Sequence, residues 1–289
     1  MARCSIKLLG SMQIMLDGKA LQGMESAKVR ALVAYLAVEN GQAHERESLA
    51  GLFWPEMSES QARHGLSQSL YNLRQVLGEG SKAGEPPGEA GGTAPFLLIT
   101  PHTVQCNPLS GFELDVQQLA RYISQVRQHN HRRLETCASC AQLMKQADQL
   151  YQGEFLSGMS LKGCQAFEEW MLIWRERLHR QICEALADLA TYHAGRAEIH
   201  LALEANRRWA QEDPFSEPAQ RGLMRLLALD GQRNQALAHY TGFRRMLMME
   251  LDVEPSRDTQ QLYQQILSEE TAQTSLPGMP GKLPVPLTP

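Results

Sequence analysis

At 289 residues, 43% hydrophobic and 21% charged, the chain has a globular composition and is long enough for two cored domains. Its net charge of −4 excludes a polyanion binder by bulk charge, and six cysteines in this length do not read as a secreted disulfide framework. No apolar run approaches the ~20 residues that a membrane helix needs, and polar residues break the opening MARCSIKLLGSMQIML too often for a signal peptide, so a cytoplasmic protein with no membrane role is expected.

Residues Ile6–Leu9 and Met12–Leu16 read as short strands around Gly10, followed by an Asp17-Gly18 turn. Ser26 caps a helix through about Glu39, with Val29, Leu32, Val33 and Leu36 as its buried stripe and Asn40-Gly41 as its stop. A shorter helix spans about Glu45 to Phe53 and ends at Trp54-Pro55.

A third helix begins after Ser58, with Gln61 completing a capping-box pattern, and Gly78 closes it. Ala62, Leu66, Leu70, Leu73 and Leu77 form one apolar stripe. The opposite face carries His64, Gln68, Tyr71 and Gln75 with Asn72 beside them, while Arg63, Ser67 and Arg74 sit at the stripe's edge. A polar, aromatic face nearly free of acid suits hydrogen bonding to base edges and phosphates; a solvated surface helix is the plain alternative.

Glu79 to Pro95 is dominated by Gly, Pro, Glu and Ser and reads as a flexible loop. Phe96–Thr100 and Thr103–Cys106 then form a hairpin around Pro101-His102. Strands, three helices and a hairpin make the winged helix-turn-helix plan, whose third helix enters the major groove while the wing reaches the backbone or minor groove. A small α+β domain with no nucleic-acid role has the same element order. On the DNA reading, His64, Gln68, Tyr71 and Asn72 face bases, Arg63, Ser67 and Arg74 meet phosphate, and His102 and Thr103 stand at the wing tip.

Beyond Pro108 the pattern is nearly continuous helix. Val116, Leu119, Ile123 and Val126 are in register from Asp115; a basic, His-rich link covers His129 to Arg133; and a helix runs from about Leu134 to Tyr151. After a loop at Phe155–Gly158, a long helix from about Gln165 to His193 places Phe167, Trp170, Trp174, Leu178, Ile182, Ala185 and Leu189 at helical spacing. Ala202-Leu203 and Ala236-Leu237 stand one tetratricopeptide period apart, ~34 residues, as do Leu189-Ala190 and Leu223-Met224. Gly195, Asp213-Pro214 and Gly231 supply the turns. The tail from Glu270 is Pro-rich and has the composition of a disordered linker.

Enzyme chemistry has no residues to stand on. There is no P-loop, no GxGxxG after a strand and no GxSxG elbow, and no cofactor is implied. Cys137-Ala138-Ser139-Cys140 is a CxxC without a second CxxC or a suitably spaced His pair for zinc. Inside the expected helix Cys137, Cys140, Ala141, Met144 and Ala147 share one face, which reads as packed core. A CxxC oxidoreductase would need Cys137 exposed with a depressed pKa.

With these residues in view, the chain resembles bacterial transcriptional activator domain proteins of the antibiotic-regulatory type. Trp54-Pro55, Ala62-Arg63, Leu66, Leu70, Leu73-Arg74 and Leu77-Gly78 resemble an OmpR-like helix-turn-helix. The segment Leu150–Leu156, Trp170 with Arg177-Leu178, Asp213-Pro214 with Glu217, Gly231 with Arg233, Ala236-Leu237 with Tyr240, and above all Glu250-Leu251-Asp252-Val253-Glu254-Pro255-Ser256 before a last helix resemble the activator domain. Three departures stand out. Asp252 replaces a usual glycine, where Asp tolerates a left-handed backbone; the Gly/Pro-rich stretch before the wing is longer than usual; and the third helix is less basic than in many relatives.

The resemblance implies a mainly α protein. A winged helix-turn-helix DNA-binding domain at residues 1–108, with its loop at 79–95, precedes an all-α, tetratricopeptide-like activator domain at 109–269 and a linker at 270–289. It further implies an activator that binds double-stranded DNA, contacts RNA polymerase and pairs as a homodimer on direct repeats. Leu283 to Pro289 resembles the linker that precedes a nucleotide-binding signalling ATPase module in larger members. The rival from another class is a tetratricopeptide-like protein-interaction adaptor whose winged domain does not bind DNA. A basic outer face on the third helix would favour DNA, and an acidic or buried one the adaptor.

Overall fold

The computed structural model describes residues 4–21, 23–78, 95–130 and 134–274. The chain divides into two compact units, Met1–Ala185 and Leu186–Pro289.

In the first unit, β1 (Cys4–Lys7) pairs antiparallel with β2 (Gln13–Leu16), and β2 with β3 (Lys19–Ala20). Asp17 and Gly18 both take positive φ, 49° and 78°, as a two-residue hairpin turn requires. The helices α1 (Ala27–Val38), α2 (Arg46–Phe53) and α3 (Glu59–Val76) fall where apolar periodicity places them. The wing is β5 (Leu97–Ile99) against β6 (Thr103–Cys106), joined by a third strand that the sequence does not announce, β4 (His44–Glu45), in the order β4-β6-β5. A two-residue strand, β7 (Glu113–Leu114), pairs parallel with β1 and completes the order β3-β2-β1-β7.

Asp115, the first residue of α4 (Asp115–Gln128), fastens this sheet. Its buried carboxylate accepts the backbone N–H of Leu8 and of Leu9, each at 2.8 Å. The loop Phe155–Gly158 is held to the same strand end: Leu156 N donates to Leu8 O at 2.8 Å and Gly10 N to Glu154 O at 3.1 Å.

The expected helix from Leu134 is shorter than the apolar pattern suggests. Leu134–Thr136 is a 3-10 turn, and α5 runs Ala138–Leu150. Cys137 is its N-cap, with extended backbone (ψ 100°), and therefore leaves the packed face that Cys140, Ala141, Met144 and Ala147 share. The long helix α6 (Gln165–Gly195) carries Trp170 and Trp174. Both are partly buried, and both donate their indole N–H to Glu39 Oε1, at 2.8 and 3.2 Å, beside Tyr35, Phe53, Phe155 and Phe167.

The second unit stacks α7 (Ile199–Glu212), α8 (Glu217–Leu229), α9 (Arg233–Leu251) and α10 (Arg257–Thr274). Ala202 and Ala236, one tetratricopeptide period apart, are both fully buried in a core with Leu203, Leu223, Met224, Leu227, Tyr240 and Leu262. Asp252 takes the left-handed conformation, φ 55° and ψ 38°, so the turn before α10 survives without its glycine. Ser256 N then donates to Glu217 Oε1 at 2.9 Å, and Arg244 pairs with Glu254 at 2.6 Å.

The expected loop at 79–95 falls almost entirely outside the described residues, and so does the tail beyond Thr274. Within the expected linker, residues 270–274 instead continue α10, since the sequence offers no helix breaker before Pro277.

Candidate nucleic-acid interface

α3 starts at Ser58, whose backbone N–H donates to Gln61 Oε1 at 3.3 Å, and ends with Gly78 at φ 71°. Its apolar stripe, Ala62, Leu66, Leu70, Leu73 and Leu77, is buried. That burial turns Arg63, His64, Ser67, Gln68, Tyr71, Asn72 and Arg74 to solvent, with Tyr71 59% exposed. Gly65 sets how closely α3 approaches Trp54: a Cβ there would lie 2.9 Å from Trp54 Nε1.

The outward side chains bond mainly along the surface. Gln68 Nε2 donates to Asn72 Oδ1 at 2.9 Å, so these two amides present a joined polar edge. Arg63 Nη2 lies 2.5 Å from both Glu47 and Glu59. Ser67 Oγ accepts from Arg46 Nη2 and donates to Arg63 O, both at 2.8 Å.

The wing turn is closed by threonines. Thr103 N donates to Thr100 Oγ1 at 2.8 Å, and Thr100 N to Thr103 O at 2.9 Å. His102 is exposed at the tip and Thr103 is partly exposed. Arg46 N donates to His102 O at 2.9 Å, which ties the start of α2 to the wing. The start of α2, the first half of α3 and the wing tip thereby line one groove of about 620 Å³, with Arg46, Glu47, Arg63, Ser67, His102 and Thr103 on its walls. His64, Gln68, Tyr71, Asn72 and Arg74 are not among its lining residues, and the last four lie further along α3.

Residues 114–267 match the family model described as the bacterial transcriptional activator domain. The chain belongs to the bacterial transcriptional activator domain family. Regulatory protein AfsR of Streptomyces coelicolor is 28% identical over 272 residues, which cover 93% of this chain and 25% of that protein. The chain thus spans about a quarter of that relative's length. A solved structure, Mycobacterium tuberculosis EmbR in complex with a low affinity phosphopeptide, aligns over 94% of this chain and 69% of that one, with a TM-score of 0.65 and 21% identity. That likeness establishes the fold: a winged helix-turn-helix, then a helical domain, in a mainly α protein.

In this bacterial transcriptional activator domain protein, all nine residues singled out on the third helix and wing reach the surface to some degree. Arg46 has one visible sequence signal, its place at the first turn of α2. Glu59 stands one turn from Arg63 on α3, whereas Glu47 meets it only across the α2–α3 packing.

The CxxC differs from its expected place. Cys137 is half-buried, and its thiol is lowered to about 6 by Ser139 Oγ at 3.2 Å and then by the backbone N–H of Cys140. Burial instead raises Cys140 to about 11. Among the described residues no helix is long and apolar enough to cross a membrane.

Proposed function

We propose that the protein is a sequence-specific, double-stranded DNA-binding transcriptional regulator, an activator that contacts RNA polymerase and pairs as a homodimer on direct repeats. One observation carries this reading: the α3 face that is polar in sequence is exposed in the fold, next to a wing and an arginine-bearing helix start. Residues 1–108 form the DNA-binding domain and 109–269 the activator domain. His64, Gln68, Tyr71 and Asn72 read bases; Arg63, Ser67, Arg74 and Arg46 hold phosphate; His102 and Thr103 follow the backbone from the wing. No catalytic step is assigned, and its setting is the cytoplasm.

The ion pairs of Arg63 with Glu47 and Glu59 favour a second reading, because they make the outer face mixed rather than basic. On that reading the winged domain is structural and the tetratricopeptide-like helices bind a protein.

Fluorescence anisotropy of the full chain on DNA from its own upstream region, with random duplex as control and over a salt series, decides between them. Tight binding that beats the control and falls steeply with salt supports the regulator. Gln68→Ala and Tyr71→Ala are expected to cost about 1–3 kcal/mol on the specific site only, and Arg74→Ala to weaken both duplexes alike. Equal loss on both duplexes for all three variants would remove the base-contact assignment. Absence of any binding preference would favour the adaptor.

A further inference from the structure

Three metal-binding side chains converge where α4 meets α5. His129, the C-cap of α4, places Nδ1 3.2 Å from Cys140 Sγ and 3.3 Å from Cys137 Sγ. The three potential ligand atoms all lie within 4.8 Å of one another. A tetrahedral zinc ion with Zn–S near 2.3 Å and Zn–N near 2.05 Å needs N···S edges of about 3.6 Å and an S···S edge of about 3.8 Å, so a small adjustment of the side chains seats it. We propose that His129 Nδ1, Cys137 Sγ and Cys140 Sγ form a site for a thiophilic divalent cation of the zinc class, with a fourth position open to water or an outside ligand.

The ligands are held before any ion arrives. Cys140 is fully buried in the packing of α4 against α5, Cys137 is fixed as the N-cap of α5, and the His129 backbone N–H is bonded to Gln125 O at 3.0 Å. Ser139 Oγ, 3.2 Å from Cys137 Sγ, provides the outer-shell contact that steadies a sulfur ligand. Two thiolates and an imidazole select zinc and its neighbours over magnesium or calcium, which prefer oxygen. A second Cys–His contact among the described residues, Cys183 with His179 at 3.7 Å, brings only one sulfur and one nitrogen. Bound metal would pin the end of one helix to the start of the next, and this role is independent of α3 and of DNA.

The test is an anaerobic titration of the reduced, chelator-treated full chain with cobalt(II), followed by zinc competition. One equivalent of cobalt should give a thiolate-to-metal charge-transfer band in the near ultraviolet, and zinc should abolish it. Zinc should also raise the thermal unfolding midpoint of the wild type. His129→Ala at an exposed position and Cys137→Ser at a half-buried one should each weaken binding by at least about 100-fold, the upper end of what losing an outer-shell partner costs. Absence of the band, or a band and affinity unchanged in His129→Ala, would overturn the site. So would a reduced protein that takes up no cobalt but loses two thiols to hydrogen peroxide, as Cys137 and Cys140 join in a disulfide and the peroxide becomes two waters. Circular dichroism of each variant separates a lost ligand from a lost fold.

Discussion

On α3, Gln68 and Asn72 bond to each other at 2.9 Å and face solvent. On α7 and α8, the corresponding amides turn inward: Asn206 and Gln220 are only 2% and 4% exposed. Asn206 donates to Ala219 O and Gln220 to Pro214 O, both at 2.8 Å, and Gln220 Oε1 accepts from His239 Nε2 at 2.6 Å. The same side-chain chemistry thus serves opposite ends. Inside the stack it fixes how helices join, since a buried amide without its partner costs far more than an exposed one. On α3 it stays free of the fold and therefore available to a partner. Alanine at Gln68 or Asn72 should change stability by less than about 0.5 kcal/mol. Asn206→Ala should cost about 1–3 kcal/mol, because Ala219 O loses its donor.

The largest effect is expected where this division by region breaks down. Asp115 lies in the first unit, yet it is a buried hub of the inward kind. Asp115→Ala removes the acceptor of three buried N–H groups, Leu8, Leu9 and Val116, and should cost about 2–5 kcal/mol in urea unfolding. A loss below 1 kcal/mol, the low end for one orphaned group, would mean that water replaces the carboxylate and that the distinction rests on exposure alone. Next comes Gly65→Ala, which joins stability to function. The new Cβ would meet the Trp54 ring, so α3 must shift, at about 1–3 kcal/mol. On the proposed reading its DNA affinity should fall by more than the stability loss explains. Unchanged affinity in a destabilised variant would separate α3 from DNA.

A pH experiment sharpens the inward side. Burial holds the His239 imidazole below its ordinary 6.5. The unfolded chain therefore binds more protons than the folded one below that pH. Its contribution to stability is complete above about 6.5 and is lost as pH falls through the lower, folded value. The urea midpoint of the second unit should drop between about pH 7.5 and pH 5.5, and the drop should shrink in His239→Gln, where protonation no longer matters. An equal drop in the variant would place the dependence on another group.

How far the sequence reaches follows the same inward and outward division. The three helices of the winged part, the Ser58 cap, the Gly78 stop and the buried face of α3 are legible because periodicity and capping are local. The left-handed turn at Asp252 is legible for the same reason. What escapes is set by distant pairing. β4 and β7 are two residues each and exist only because β6 and β1 offer edges. Glu47 reaches Arg63 only once α2 lies against α3. Cys137 parts from Cys140 at a helix boundary, the least legible feature of an apolar pattern, and His129 joins both only through the α4–α5 packing.

The smallest effect bears most directly on the outward side. Arg63 is the phosphate candidate with two carboxylates already on it, and Glu47 and Glu59 are 71% and 77% exposed. Exposed pairs of this kind are weak, so a phosphate can displace them at little cost, but each carboxylate also repels the approaching backbone. Glu47→Gln keeps the shape and removes one charge while Glu59 still orients the guanidinium from one turn away. If Arg63 meets phosphate, affinity for specific and random duplex should rise together by less than about fivefold, because the term is electrostatic and carries no sequence information. The gain should fade as salt is raised. A gain confined to the specific site would move Arg63 to a base edge. No gain on either duplex at low salt would leave Arg63 as a brace between α2 and α3, and would pass the phosphate role to Arg46 and Arg74.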